Sequence, residues 1–129
     1  MHELSFSMIC GRLAQVRLPA CDLVVGIAEG GIVPAPLVAQ RLGAELLAVK
    51  ISYRDALNVP CRSEPLVLSG LSMPASARTV LLVDDVSVTG ATLSAARGLL
   101  QGYTVTTMVM KGRADIVVFP EIKECVRWP

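Results

Sequence analysis

Two adjacent acids, Asp84 and Asp85, are the residues whose types and spacing point most directly to chemistry. They follow an apolar run, residues 80–83, which predicts a buried strand. Neighbouring carboxylates at a strand end can accept hydrogen bonds from the vicinal diol of a sugar and can hold a hydrated Mg²⁺. The pair therefore predicts a site for a sugar ring, a magnesium ion, or both.

A short turn after the acids adds a place for a phosphate group. It consists of Val88, Thr89, Gly90, Ala91 and Thr92. Gly90 allows a ligand to approach the backbone, and the positive end of the following helix favours an anion. Acids and turn together predict a sugar ring flanked by a phosphate. The GxxxxGK[ST] order of a Walker loop is absent. The plainer alternative is an acid pair that ends a strand before a hydroxyl-capped helix.

The elements that would position these residues alternate between strand and helix. Strands are predicted at residues 22–28, 45–51, 80–83, 103–110 and 115–119, and helices at 4–17, 34–42 and 93–101. This alternation predicts an α/β fold with a parallel twisted sheet flanked by helices. Ligands of such sheets bind at the carboxyl ends of the strands. The turn at 28–31, the loop from residue 52 and the acid motif are all expected at that edge.

Residues 52–77 are predicted to form a flexible lid loop. This stretch holds three prolines and has no helical period. Long structureless connections inside a compact domain are uncommon and are usually functional. A short strand at 66–68 and a turn at 111–113 are also expected.

Composition limits the class of protein. A chain of 129 residues predicts one domain, and its 53% hydrophobic content predicts apolar surface at a subunit interface, as in a homodimer. Neither nucleic acid nor membrane is an expected partner, because the net charge is +1 without a basic block and no apolar run approaches the roughly 20 residues of a membrane span. Four cysteines without CxxC spacing and one histidine argue against a zinc site. Reduced thiols and the lack of a signal-peptide pattern favour the cytoplasm.

The string VLLVDDVSVTGATL at residues 80–93 resembles the 5-phosphoribosyl 1-pyrophosphate (PRPP) signature of the type I phosphoribosyltransferases. Ser87 departs from it, where an aliphatic residue is usual. Residues 22–34 resemble the pyrophosphate loop of the family, and residues 51–53 resemble the start of its flexible catalytic loop. The likeness is closest to the small bacterial xanthine–guanine and hypoxanthine enzymes.

The resemblance implies a role for each matching residue. Asp84 and Asp85 would bind the ribose hydroxyls and Mg²⁺-PRPP, and residues 88–92 would bind the 5′-phosphate. Ser52 and Tyr53 would close over the reacting centre, with residues 111–129 as a minimal hood over the base. The pyrophosphate would be held by Ala28, Glu29, Gly30 and Gly31. The base would be contacted by Lys111, Val126 and Trp128.

The implied reaction is transfer of the 5-phosphoribosyl group of PRPP to a ring nitrogen of a purine-type base, with release of pyrophosphate. Three residues depart from the family pattern. Val88 stands where 6-oxopurine enzymes usually carry an acid, Glu29 where a cation is usual, and Cys125 where a base-stacking aromatic is expected. These departures keep two alternatives open: a non-catalytic module that binds PRPP or a nucleotide, and transfer to another acceptor such as a pyrimidine.

Overall fold

The computed structural model of the chain describes residues 2–28, 31, 33–52, 66–67 and 73–129. The described part contains three helices, α1 (Phe6–Gln15), α2 (Pro34–Leu42) and α3 (Ala91–Gly98). Its strands are β1 (His2–Glu3), β2 (Leu23–Ala28), β3 (Glu45–Ser52), β4 (Leu66–Val67), β5 (Thr79–Ser87), β6 (Thr104–Gly112), β7 (Ile116–Val117) and β8 (Val126–Arg127).

Six of these strands form one sheet in the order β4-β3-β2-β5-β6-β7. The five strands from β3 to β7 in this order are parallel, and β4 pairs antiparallel to β3 at one edge. The predicted α/β fold with a parallel sheet and flanking helices is therefore confirmed. Strand β5 lies between β2 and β6, which places the acid motif near the middle of the sheet.

Strand β5 is apolar because each of its faces lies in a hydrophobic core. Leu81 and Val83 belong to the core under α1 and α2, whereas Val80 and Leu82 belong to the core under α3. All four side chains are fully buried. A strand covered on both faces reads as a continuous apolar run rather than as an alternating pattern. The period-2 geometry then carries the next two residues, the acids, toward opposite faces.

Helix ends follow recognisable capping chemistry. Helix α2 has the predicted bounds, with Pro34 in its first turn and Gly43 as a left-handed C-cap (φ 64°). Helix α1 begins later than predicted because Ser5 is its N-cap, and the Ser5 side chain accepts the Met8 N–H at 3.1 Å. Helix α3 ends at Gly98, three residues before the predicted end.

The predicted turn at residues 111–113 is wrong, because β6 continues through Lys111 and Gly112. These two residues pair with Val86 and Ser87 of β5, which also extends further than expected. Strand β7 is shorter than the predicted 115–119 and covers only Ile116–Val117. Strand β4 covers the first two residues of the predicted short strand at 66–68, and residue 68 lies outside the described residues.

A second, two-stranded sheet joins the two ends of the chain. Strand β1 pairs parallel to β8, with His2 opposite Val126 and Glu3 opposite Arg127. The C-terminal segment, residues 113–129, is thereby held beside α1. Within the described residues, no helix combines the length and apolar character needed to cross a membrane.

Candidate functional site

Asp84 and Asp85 lie inside β5 rather than after it, because the strand continues through Ser87. Asp84 is only 7% exposed, and Asp85 is half-buried. The Asp85 N–H donates to Oδ1 of Asp84 at 2.8 Å, and the Val86 N–H donates to Oδ1 of Asp85 at 2.7 Å. Each carboxylate is thus oriented by the backbone N–H of the residue that follows it.

The acid pair places two carboxyl groups side by side in a largely buried position. Burial raises the pKa of Asp84 to about 8, and the hydrogen bond and charge of the Asp85 side chain act in the same direction. Among the described residues, no lysine or arginine forms an ion pair with either acid. Two close carboxyl groups with no ion-pair partner in the described part of the chain favour a ligand that brings positive charge or hydrogen-bond donors.

The donor chemistry at the acids fits Mg²⁺ supplied together with a substrate. The described residues contain no cluster of three or more His, Cys, Asp or Glu side chains that would form a complete metal cage. Mg²⁺ commonly uses one or two protein carboxylates and takes its other oxygens from water and substrate phosphates. Asp84 and Asp85 could supply those carboxylates, and a sugar diol could donate hydrogen bonds to the same oxygens.

The turn after β5 forms a small cradle with Asp84. A cavity of about 90 Å³ is lined by Asp84 and by the turn residues 88–92. Gly90 adopts a left-handed conformation (φ 84°) as the N-cap of α3 and offers no side-chain cap. The Thr89 hydroxyl accepts the Ala91 N–H at 3.2 Å. The remaining N–H groups of the first helical turn lack intrahelical partners and suit an anion.

Gly31 brings the predicted pyrophosphate loop against the acid strand. It is buried, and a Cβ at this position would lie 2.5 Å from the Val83 carbonyl oxygen, directly before Asp84. Only glycine fits such an approach of two backbones. Ala28, the last residue of β2, is half-buried at the same edge. Glu29 and Gly30 lie outside the described residues.

Lys111 and Val88 share a cavity of about 390 Å³, here called the Lys111 cavity. Lys111 pairs with Val86 across β5 and β6, and its Nζ donates to the Glu124 carbonyl. Val88 is 75% exposed at the rim of this cavity. The Lys111 cavity therefore lies between the acid motif and the C-terminal segment.

Trp128 lies elsewhere, in a second cavity of about 160 Å³ that we call the Asp85 cavity. Asp85, Met110 and Trp128 are among the residues that line it. Val126 belongs to β8 and packs against the core under α1, and Cys125 is exposed. The predicted base-contacting residues therefore do not share one cavity. Lys111 lines the same cavity as Val88, whereas Trp128 lines the same cavity as Asp85.

The lid residues are only partly described. Strand β3 ends at Ser52, which places its backbone at the carboxyl edge of the sheet. The Ser52 side chain, Tyr53 and most of residues 52–77 lie outside the described part. Their proposed roles therefore stay predictions.

Two residues of structural interest, Ser87 and Arg12, were assigned no role from the sequence. The Ser87 hydroxyl is buried and has no hydrogen-bond partner among the described residues. The sequence clue to this residue was a polar side chain at a motif position that is usually aliphatic. Arg12 of α1 binds the C-terminal segment: it donates to the Val118 carbonyl at 2.8 Å, forms a bidentate ion pair with Glu121 and stacks over Phe119 at 4.5 Å. No sequence signal pointed to it, since its partners are more than a hundred residues away.

Comparisons with known proteins agree with this architecture. The model of the phosphoribosyl transferase domain family matches residues 5–118. Adenine phosphoribosyltransferase of Corynebacterium diphtheriae is 34% identical over 113 residues, with 79% of this chain and 60% of the relative covered. The Frankia alni enzyme of the same name is 38% identical over 107 residues, with 76% and 56% covered. The chain thus spans less than two thirds of either relative.

A likeness in fold extends to solved structures. Xanthine-guanine-hypoxanthine phosphoribosyltransferase of Helicobacter pylori superposes with a TM-score of 0.82 at 13% identity, covering 98% of this chain and 91% of that one. At this identity the match speaks for the fold alone.

Proposed function

This chain belongs to the phosphoribosyl transferase domain family, and on that premise we propose that it transfers the 5-phosphoribosyl group of PRPP to a purine-type base. One observation carries the proposal. An acid pair, buried at Asp84 and half-buried at Asp85, runs directly into a phosphate-sized cradle at the N-terminus of α3. Gly31 packs against the same strand. Sugar diol, 5′-phosphate and pyrophosphate would each find a complementary group within this one edge of the sheet.

The reaction is a displacement at C1 of the ribose. A ring nitrogen of the base forms the new bond to C1 and releases its proton to solvent. The bond from C1 to the pyrophosphate oxygen breaks, and pyrophosphate leaves with that electron pair. The protein's task is to position the two reactants and to stabilise charge. Asp84 and Asp85 would hold the ribose hydroxyls, residues 88–92 would anchor the 5′-phosphate, and residues 28–31 would hold the pyrophosphate. Mg²⁺, when bound at the acids, would neutralise charge on the leaving group.

Contacts to the base belong to the same proposal. The Lys111 cavity and the Asp85 cavity both open beside the acid motif, and each contains one residue predicted to contact a base, Lys111 or Trp128. Val126 would act from β8 by supporting the C-terminal segment. Ser52 and Tyr53 would close over the reacting centre and exclude water.

The wider organisation is proposed as well. We infer one domain over residues 1–129, a lid at 52–77 and a minimal hood at 111–129. Phe6 and Met8 of α1 are 52% and 49% exposed, and such apolar exposure supports a homodimer. Free thiols at Cys10, Cys21 and Cys125 support a cytoplasmic location.

A second candidate function is a non-catalytic module that binds PRPP or a nucleotide. Val88 and Cys125 favour it. Val88 is exposed at the Lys111 cavity, where 6-oxopurine enzymes usually carry an acid. Cys125, also exposed, stands in the sequence where a base-stacking aromatic ring is expected. The phosphate cradle and the acid pair would serve such a module equally well.

Pyrophosphate release separates the two functions. Incubation of the protein with PRPP, Mg²⁺ and a panel of purine and pyrimidine bases should release pyrophosphate with at least one purine, and EDTA should abolish release. PRPP binding without release from any base would instead support the non-catalytic module.

An acid-to-amide pair of variants tests the site itself. Asp85→Asn should weaken PRPP binding by about tenfold or more, since charge-assisted hydrogen bonds are lost. Glu45→Gln, an exposed acid at the opposite end of the sheet, should leave PRPP affinity unchanged. Equal affinities for the two variants would place PRPP elsewhere.

A further inference from the structure

The Lys111 cavity is strongly cationic. Lys111, Arg113 and Lys123 line it, and none of the described residues that line it is acidic. Three acids near these cations in sequence are engaged with other partners. Asp115 pairs with Arg97 and accepts a hydrogen bond from the Thr107 hydroxyl. Glu121 pairs with Arg12, and Glu124 contacts His2 at 3.4 Å. The cavity of about 390 Å³ has the size of an ordinary small-molecule site.

Backbone geometry fixes the position of Arg113 at the cavity wall. Gly112 has φ 113°, and a Cβ there would overlap the Ser87 carbonyl, so only glycine allows this approach of β6 to β5. The Arg113 N–H donates to the same carbonyl at 2.9 Å. The backbone of Arg113 is therefore held next to Ser87, at the end of the strand that carries the acids.

Donors remain available in the cavity. Lys111 carries three N–H donors and gives one to the Glu124 carbonyl. Ser87 is 6% exposed, lines the cavity, and has a hydroxyl without a partner among the described residues. A buried hydroxyl is rarely left unpaired. The position of Val88, where an acid would have offset the positive charge, is apolar.

We propose that Arg113 and Lys123, together with Lys111, are specificity-determining residues that select an acceptor base with an anionic oxygen. This inference rests on the phosphoribosyl transfer of the proposed function, and it defines the acceptor by its anionic oxygen rather than by its ring type. The oxygen could be a ring oxyanion, as in xanthine, or a carboxylate, as in orotate. Adenine presents an amino group, which is a donor, at this place. Its binding would remove water from the cations without giving them an acceptor, and this desolvation would weaken the binding. The base preference expected for this site therefore differs from adenine, the base in the names of the sequence relatives.

Nucleotide binding tests this preference independently of catalysis. We would measure the affinities of xanthosine, orotidine, inosine and adenosine 5′-monophosphates by calorimetry, because all four share the phosphate. At least one of the two anionic nucleotides should bind about tenfold more tightly than adenosine monophosphate, the size expected for charge-assisted hydrogen bonds. The tighter of the two identifies the oxyanion or the carboxylate as the source.

Charge-removing variants then assign the residues. Arg113→Gln and Lys123→Gln, singly and combined, should reduce the preference to about threefold or less while changing adenosine monophosphate affinity by about twofold at most. Arg17→Gln removes an exposed cation that does not line the cavity and should change nothing. Urea unfolding of each variant checks that the fold is retained.

Each contrary result has a clear meaning. Tightest binding of adenosine monophosphate, or an equal loss for all four nucleotides in the double variant, would overturn the inference, since the cations would then act only on the shared phosphate. The proposed transfer reaction would still stand if pyrophosphate is released with a base. Absence of binding by any of the four nucleotides, together with absence of pyrophosphate release, would overturn both.

Discussion

Replacement of Asp84 by asparagine should change how stability depends on pH. In the folded protein, burial and the neighbouring Asp85 raise the pKa of Asp84 from 3.8 to about 8. Between these values the folded state keeps a proton that the unfolded chain has lost. The free energy of unfolding therefore falls as pH rises from about 4 to about 8, with a slope of about 1.4 kcal/mol per pH unit.

The size of the effect follows from that slope. Between about pH 5.5 and pH 7.5 the wild-type protein should lose about 2.5 kcal/mol through this group. Asp84→Asn removes the titrating carboxyl and this loss with it. The difference in unfolding free energy between variant and wild type should then shift by about 2.5 kcal/mol in favour of the variant across the same interval. Urea unfolding at the two pH values, without added divalent cations, measures this difference.

Two further variants sharpen the experiment. Asp85→Asn should keep most of the pH slope, because burial is the largest cause of the raised pKa of Asp84 and remains in place. Glu121→Gln is a matched control: Arg12 lowers the pKa of Glu121 to about 2, so its stabilisation is lost only as pH falls from about 4.5 to about 2. This control should shift stability equally at pH 5.5 and 7.5. Parallel profiles for wild type and Asp84→Asn would refute the reasoning.

Three other variants test positions outside the acid pair. Gly112→Ala should destabilise the protein by about 3 kcal/mol or more in urea unfolding, because the new Cβ would overlap the Ser87 carbonyl at a φ of 113°; a loss under about 1 kcal/mol would contradict this packing. Arg12→Ala should raise KM for the base with little change in KM for PRPP, because it releases the C-terminal segment from α1; equal changes in both constants would argue against such positioning. Val88→Asp should leave stability within about 0.5 kcal/mol, since the side chain is 75% exposed. It should also raise kcat with 6-oxopurines, and an unchanged kcat would show that the acid is not needed.

Local pattern was enough for the fold class and for the order of strand, acid pair, turn and helix on which the proposed sugar-phosphate site depends. The apolar run into two acids predicted a buried strand, and β5 is that strand because both of its faces are covered. Pro34 and Gly43 marked the ends of α2 through backbone preferences that act within a few residues. Helix α3 begins at Ala91, two residues before its predicted start. The lid at 52–77 lies largely outside the described residues and stays a prediction.

Contacts between distant parts of the chain decided the rest. Strand β5 continues past the acids because Val86 and Ser87 pair with Lys111 and Gly112 of β6. The sequence of β5 alone gives no sign of this pairing. Likewise, no local signal in the sequence shows that Lys111 and Trp128 line different cavities. Their separation depends on how the C-terminal segment packs against α1. The sequence by itself determined the acid pair and the turn that forms the small cradle, because their residues are contiguous. Only the tertiary structure decided the cationic Lys111 cavity and the raised pKa of Asp84, because both arise from burial and from groups that folding brings together.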